Sequence, residues 1–452
     1  MEHDIQIYVD NVDGNDNRSG NRNAPVSTAD KAFNLLPPSW PGRAEIIFVT
    51  TGRPYEILTD AVSFGTPVGA IASPLVIRGG YEDLLTITAS GSSDGDIVPT
   101  TADQPADALI GAVLTRVSGT GSPVGTAISI RGNTSGPALN IQLQQSIGRI
   151  VAGDRFTVQR PAVTLRPTQT LNLTSHDGRS PNFTLVGIKI APAEGSSLNF
   201  LNVRAHCETC EFVFERAGAT IHTNARIHGG IEMETLSPGL DPQRAGAGVY
   251  IHSNAATNLI SAARNGIFGG HLTFKDITVR VSQGGVLVPH SLEALRAPIH
   301  ILTGGSALGQ PNPRTGQQAW GTATNKARIR NVTGLTGDGL RVFNGGSLNS
   351  PVGPIHLDIF GCGRDGIRLD MCSIASFGPP GGEDGLVSTE RPENGGFGLN
   401  VRNASRALVG TPPATLRLTG RSGPVGLDDV APSSATLPQS NAGMSLVRVN
   451  SR

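Results

Sequence analysis

The chain opens on an alternation. Ile5, Ile7 and Val9 are apolar between polar neighbours, the period-two pattern of a strand with one buried face. A polar stretch follows, with Asp13-Gly14, Asn17 and Gly20 to Asn23, residues that tolerate positive φ and so build turns. The period then changes. Ala29, Ala32, Phe33 and Leu36 fall at i, i+3, i+4 and i+7, one apolar face of a helix of about two to three turns. Ser27 is its expected N-cap with Asp30 as capping-box partner, and Pro37-Pro38 its stop. So short a helix is stable only when docked.

After Leu36 no sustained 3.6-residue period remains. One local pattern takes over: glycine, aliphatic, any residue, aliphatic. It recurs at Gly187, Gly248, Gly285, Gly339, Gly366 and Gly398, with a degenerate copy at Gly266. Taken in chain order these glycines are 61, 18, 19, 54, 27 and 32 residues apart. Weaker strands, 198–203 and 327–332, fall inside the long gaps, so the period is loose and lies in the twenties. Such repeats signal a solenoid or a propeller. A propeller brings tryptophan-rich blades, and this chain has only Trp40 and Trp320. Leucine-rich repeats need a leucine and asparagine frame that is missing. Short strands with inward aliphatics and loops of variable length predict a single-stranded parallel β-helix, an all-β solenoid whose coils stack about 4.8 Å apart. The stack leaves unpaired backbone groups at its ends, and the short N-terminal helix is a suitable cap for the first.

The opening segment carries a resemblance. Tyr8-Val9-Asp10, the glycine- and aspartate-containing polar loop, then Pro25-Val26 and Thr28 leading into Lys31-Ala32-Phe33 resemble the start of pectin-lyase-like right-handed parallel β-helix proteins. These include phage tail-spike and tail-fibre proteins and secreted polysaccharide-active enzymes. The likeness is close over about residues 5–36 and extends to 183–410 through rung style only. It implies a right-handed coil, a homotrimer, a place in a virion beside other tail proteins, and contact with a host cell-surface glycan, with depolymerase activity as an option. A secreted polysaccharide lyase or glycoside hydrolase is the alternative. Trimerisation would bury outward Tyr250, Phe268 and Leu287.

Composition narrows this. Glycine and proline, 58 and 31 residues, suit many turns, and with aromatics at 4% the core must be aliphatic. Lysine plus arginine and aspartate plus glutamate both number 36, so no basic field points to nucleic acid or an anionic membrane. No run of 18 apolar residues occurs, hence no membrane insertion is expected, and MEHDIQIYVD has neither region of a signal peptide. Four cysteines in so long a chain do not make a disulfide scaffold.

The pattern divides the chain into an N-terminal strand, loop and capping helix (1–40), first rungs (41–88), a loop-rich region with a small β insertion (89–182), a main coil (183–410) and a C-terminal cap or subunit-crossing segment (411–452), the last with a strand at 444–449. Candidate chemistry sits in the main coil. Asp338 and Asp365 each precede a rung glycine, and Arg341 and Arg368 each lie two residues beyond it. On adjacent rungs the two carboxylates would stack about 5 Å apart, the separation of a retaining glycosidase pair. They are therefore the candidate catalytic residues. Asp-Gly is equally a turn dipeptide, and aspartate–arginine ladders can be surface ion pairs. Arg341, Arg368, Glu383 and Asp384 are candidate sugar contacts, the last two in a long acidic loop that also holds Glu390 and Glu393. Cys207 and Cys210 have metal-ligand spacing, but Cys362 and Cys372 do not complete a second such pair, so buried thiols are expected. The scattered histidines, His206, His222, His228, His252 and His271 among them, suggest no cluster. No metal and no cofactor is expected, and no phosphate-binding loop or nucleophile elbow occurs.

Overall fold

The computed structural model describes residues 5–40, 42–64, 66–67, 75–120, 123–125, 127–137, 139–143, 146–175, 182–193, 196–200, 203–214, 219–228, 231–236, 246–251, 266–281, 286–289, 291–302, 306–307, 326–333, 337–349, 356–377, 386–389, 393–403, 405–409, 415–427 and 434–436. Among them there is a single helix, Ala29–Leu35, and otherwise strands. It is neither long nor apolar enough to cross a membrane. The chain falls into two compact units, the first built mainly from Met1–Ser196 and the second mainly from Ala225–Arg452.

In the first unit, strands Ile5–Val9, Ala44–Phe48, Leu75–Arg78, Asn182–Val186 and Arg204–Glu208 pair in parallel, one on the next. Tyr55–Ile57, Val163–Pro167, Ile188–Ile190 and Cys210–Phe214 form a second parallel column, and Ala61–Phe64 with Leu171–Ser175 a third. Register puts Ile7, Ile46, Ile77, Leu185 and Cys207 in one line, and all are buried. Each such aliphatic side chain contributes about 1.5–3 kcal/mol of burial.

The helix starts where its apolar pattern does, at Ala29, but one residue later than the expected cap implied. Thr28, not Ser27, is the N-cap, its hydroxyl accepting from the Lys31 N–H. The reason lies upstream: the Asp16 carboxylate accepts from both the Ser27 and Thr28 N–H groups and from the Thr28 hydroxyl, so Ser27 is held outside the helix. Asp30 likewise serves a neighbour, accepting from the Leu58 and Thr59 N–H groups. The free edge of Ile5–Val9 is covered by the loop before the helix, where Val26 exchanges hydrogen bonds with Tyr8 and Asp10.

A different architecture interrupts this unit. Six strands between Tyr81 and Pro161 form an antiparallel sheet, in the order Tyr81–Thr88, Arg155–Pro161, Val113–Ser118, Ala127–Asn133, Leu139–Leu143, Ile97–Thr100. They enclose their own core of Ile87, Val98, Leu114, Ile130, Ile141, Phe156 and Val158. The ends of the insert are adjacent, with the Ala162 N–H donating to the Gly80 carbonyl. Leu75 pairs with the distant Phe183, and once the insert 81–161 is set aside the remaining step along the chain equals that between the paired Leu340 and Ile367. The insert therefore interrupts one ordinary coil without changing its length.

In the second unit each strand from Thr278 onward pairs in parallel with the strand three places further along, giving three columns. The glycine pattern turns out to mark more than one column. Gly339, Gly366 and Gly398 open successive rungs of the same one, whereas Gly285 precedes a strand of another. There the phase also shifts. Leu287, expected to face outward, is enclosed, in register through 307 with the buried Leu348 and Ala375. It therefore cannot supply a subunit contact. The side chains of Tyr250 and Phe268, and the strand expected at 444–449, lie outside the described residues.

Corners between strands repeat as well. Asp276, Arg296 and Asn331 stand at one corner with φ of 56°, 51° and 55°, and Asn344, Met371 and Asn403 at another with φ of 54°, 53° and 50°. In the first set each N–H donates to a carbonyl of the following rung, those of Leu295, Arg330 and Phe360. The next coil thus holds a left-handed conformation that is costly for an ordinary side chain.

Candidate functional site

The site is built on one column of the second unit: Thr278–Val281, Ile299–Ile301, Leu340–Phe343, Ile367–Asp370 and Phe397–Val401. Alternation along each strand sends Val279, Ile299, Leu340, Ile367 and Leu399 inward, with Val281, Ile301, Val342, Leu369 and Val401 beside them, all fully buried. Between these apolar lines, register stacks Arg280, His300, Arg341, Arg368 and Asn400 on the other face. Phe343 and Asp370 stand on the same face two residues further on.

Asp370 is the anion of this face. Arg368 donates to its Oδ2 from Nη2 at 3.1 Å and Nε at 3.3 Å, Asn403 donates to Oδ1 at 2.6 Å, and Arg341 Nη2 lies 3.8 Å away. Burial acts to raise its pKa, but these bonds and the two guanidinium charges outweigh it and hold the carboxyl below its ordinary value. Arg341 lies over the Phe343 ring at 4.5 Å, and His300 meets the same ring edge-on at 6.1 Å. Burial, then the charges of Arg341 and Arg280, push the His300 pKa down to about 3, so its ring is neutral at physiological pH. Three nitrogens here have no hydrogen-bond partner: His300 Nε2, Arg341 Nε and Arg368 Nη1.

Asp338 and Asp365 stand just before this face on adjacent rungs. Both are enclosed, at 0% and 3% exposure. Asp338 Oδ1 accepts from the Asp365 N–H at 3.2 Å, and Asp365 Oδ1 accepts from the Phe397 N–H at 2.8 Å. Each carboxylate thus ties its rung to the next. Asp365 Oδ2 also accepts from Asn400 Nδ2, and Arg368 Nη1 is 4.0 Å from it. Asp338 Oδ2 has no partner. Burial, then the Asp365 charge, raises the Asp338 pKa to about 6 against the pull of Arg364 and Arg368. The glycines beside them are fixed by close approach. A Cβ on Gly339 would lie 2.5 Å from Ile359 Cγ2, and one on Gly366 would lie 2.7 Å from Asn394 Nδ2 and 2.9 Å from the Gly398 carbonyl oxygen.

No family model matches the chain, and the curated proteins offer no match. Among solved structures it is similar to the tailspike gp61 of Pseudomonas phage phi297, at 14% identity over 91% of this chain and 70% of that one, TM-score 0.25. It is similar also to the Gp54 tailspike of Acinetobacter baumannii bacteriophage AP22, solved in complex with A. baumannii capsular saccharide, at 11% identity over 87% and 74%, TM-score 0.21. A glycoside hydrolase matches at 10% identity over 94% and 96%, TM-score 0.18. Likenesses at these scores decide neither fold nor function.

Of the residues singled out in the sequence, the structure brings Asp338, Asp365, Arg341 and Arg368 together on two successive rungs. Glu383, Asp384 and Glu390 lie outside the described residues, and Glu393 is exposed. Cys207 and Cys210 are buried side by side, and burial followed by the neighbouring thiol raises the Cys207 pKa well above its ordinary value. No group of three or more histidine, cysteine, aspartate or glutamate side chains placed to hold a metal occurs among the described residues. His206 pairs with Glu208 and His271 with Ser291, separately; the side chains of His222 and His228, and all of His252, lie outside the described residues.

His300, Phe343, Asp370, Asn400 and Asn403 escaped sequence reasoning. Phe343 and Asp370 follow Arg341 and Arg368 by two residues, so the outward period would have found them. His300 pairs with Arg341 across the whole stretch 301–340, and no local pattern spans that gap.

Proposed function

We propose that the chain is a right-handed parallel β-helix of the pectin-lyase-like kind, serving as a tail-spike- or tail-fibre-like virion protein whose outer face contacts a host cell-surface polysaccharide. The observation that carries the glycan part is the column His300–Arg341–Arg368–Asn400 with Phe343 and Asp370, a stacked polar face with unpartnered donors around one aromatic ring. The column pairing supports the coil, and the opening segment, 5–36, supports the tail-spike kinship. Light scattering is expected to give three times the 46.9 kDa chain mass. A monomer would remove the trimeric spike reading. Binding to capsular and lipopolysaccharide glycans of candidate hosts, lost in Arg341→Gln, tests the contact; its absence across hosts would end the reading.

One observation favours a second reading, a polysaccharide lyase or glycoside hydrolase. Asp338, whose pKa burial raises to about 6, stands one rung from Asp365, and a pair of neighbouring carboxyl groups is the catalytic equipment of a glycosidase. Release of reducing ends or unsaturated uronate, abolished by Asp338→Asn or Asp365→Asn, would support it. Activity that survives both substitutions would remove them as catalytic residues.

A further inference from the structure

The coils of the first unit turn one corner in the same way, and in one of them the two residues that meet inside it are cysteines. Register places Ile77, Leu185 and Cys207 in one inward line before the corner. Val163, Ile188 and Cys210 make the inward line after it, since Lys189 pairs with Glu211 one residue further on. All six are buried. Two coils therefore close the corner with a pair of branched aliphatics, and the third with a pair of thiols. Cys210 Sγ donates to the carbonyl oxygen of Leu185, the residue paired with Cys207, at 3.4 Å, and the Cys207 thiol in turn feels that of Cys210. Two thiols fill less of an aliphatic core than leucine and isoleucine do, so packing by itself does not favour them at both positions.

The turn between the cysteines is a strained one. Gly187 makes the corner of the coil below with φ of 59°, which glycine reaches freely. In the next coil Thr209 stands there at 52°, a conformation unfavourable for a β-branched side chain. Thr209 is also a footing for the insert. Its hydroxyl hydrogen-bonds that of Tyr81, the first residue of the insert, and the Tyr81 ring stands so near Gly187 that a Cβ there would lie 2.8 Å from Tyr81 Cζ. A covalent link across the turn would hold both the left-handed corner and this footing. We propose that Cys207 and Cys210 form a disulfide that staples the corner. The bond is made while the chain folds, because both sulfurs are enclosed once the coil is complete and burial, with the neighbouring thiol, then keeps Cys207 protonated. The oxidant is a small-molecule disulfide. One cysteine thiolate displaces half of it as a thiol to give a mixed disulfide, and the second cysteine thiolate displaces the other half. The two protein thiols thus lose two protons and two electrons, and the oxidant leaves as two thiols. The inference is independent of the glycan reading.

The test folds the full chain in the presence of oxidised glutathione and, separately, of dithiothreitol. Cleavage after Arg204 and Arg216 releases a peptide, 205–216, that holds these two cysteines and neither of the others. From the oxidised preparation it is expected to be lighter by two hydrogen atoms and closed to alkylation after denaturation; from the reduced one it is expected to take two alkyl groups. The oxidised chain is expected to melt at the higher temperature. The double variant Cys207→Ala, Cys210→Ala should melt alike under both conditions; a difference that persists in it comes from Cys362 or Cys372 and overturns the staple. Two alkylatable thiols in 205–216 after oxidative folding, or glutathione held on either of them, would overturn the proposal. So would a bond that lowers the melting temperature, since the corner then does not accommodate it. The peptide map uses the unaltered chain and decides the matter even if the double variant fails to fold.

Discussion

The antiparallel insert and the parallel columns of the second unit each bury an aspartate, and they treat it in opposite ways. In the insert, burial acts to raise the pKa of Asp154, but the Val151 and Thr120 N–H groups and Arg116 overcome it and leave the carboxyl below its ordinary value. In the column, Asp338 has one backbone donor, an unpartnered Oδ2 and a like charge one rung away, and its pKa rises to about 6. The contrast follows from topology. An antiparallel sheet with its own core can converge unlike partners on one buried charge, as Arg116, Asp154 and Phe156 show. A parallel stack places like on like, because each position meets its own equivalent one coil away.

The turns differ in the same sense. In the insert seven glycines have positive φ, and Asp107 is its one other residue in that region among those described. In the second unit seven residues other than glycine, Asp276, Arg296, Asn331, Asn344, Met371, Cys372 and Asn403, have positive φ beside four glycines, among those described. A lone turn relies on glycine, which reaches φ > 0 freely. A stacked corner can use side-chain-bearing residues because the following coil bonds the corner.

The contrast can be broken most forcefully in the insert. Asp154→Ala leaves the buried Arg116 guanidinium unpaired and is expected to cost about 3–5 kcal/mol, read by chemical denaturation. Hydrogen exchange should show the lost protection within 81–161. Uniform loss across the first unit would mean that the insert is not an independent cooperative region.

Next comes pH. The raised folded pKa of Asp338 means that its contribution is fully present below about pH 4 and is lost as pH rises through 6. The swing is about 3 kcal/mol, at roughly 1.4 kcal/mol for each tenfold change in proton affinity. Asp338→Asn should flatten that stretch of the stability profile. Asp154 has the opposite sign: its contribution is present above the unfolded pKa and lost as pH falls through the folded one.

Smaller effects sharpen the picture of close stacking. Gly366→Ala is expected to cost about 1–3 kcal/mol, since its Cβ must displace Asn394 or the Gly398 backbone. A silent Gly366→Ala in a denaturant titration would show that the rungs are further apart than described. Smallest, Met371→Gly should gain about 1 kcal/mol by relieving a left-handed residue with an exposed side chain. A loss instead would mean that the neighbouring coil already removes the strain.

Much of this was written locally in the chain. The period-two strand 5–9, the helix face from Ala29 to Leu36 and the inward aliphatics after Gly339, Gly366 and Gly398 are all visible without coordinates, because burial of alternate or helical positions leaves its mark within a few residues. So was the pairing of Asp338 with Asp365 and of Arg341 with Arg368, since the two rungs follow closely in the chain and carry the same local motif. The insert was partly legible: its Gly153-Asp154 turn is plain, but serine- and glycine-rich turns separate its strands, and the region reads as loop-rich with a small β insertion.

What the tertiary structure alone decided was register and environment. Local alternation determines that Leu340 and Val342 face one way; it does not determine which earlier strand lies beneath them, because that depends on loop lengths that vary from rung to rung. Only the fold puts His300 beside Arg341, turns Leu287 inward, and gives Asp154 a guanidinium while Asp338 receives another carboxylate. Hydrophobic pattern is a property of neighbours in sequence, whereas charge and hydrogen bonding are settled by neighbours in space.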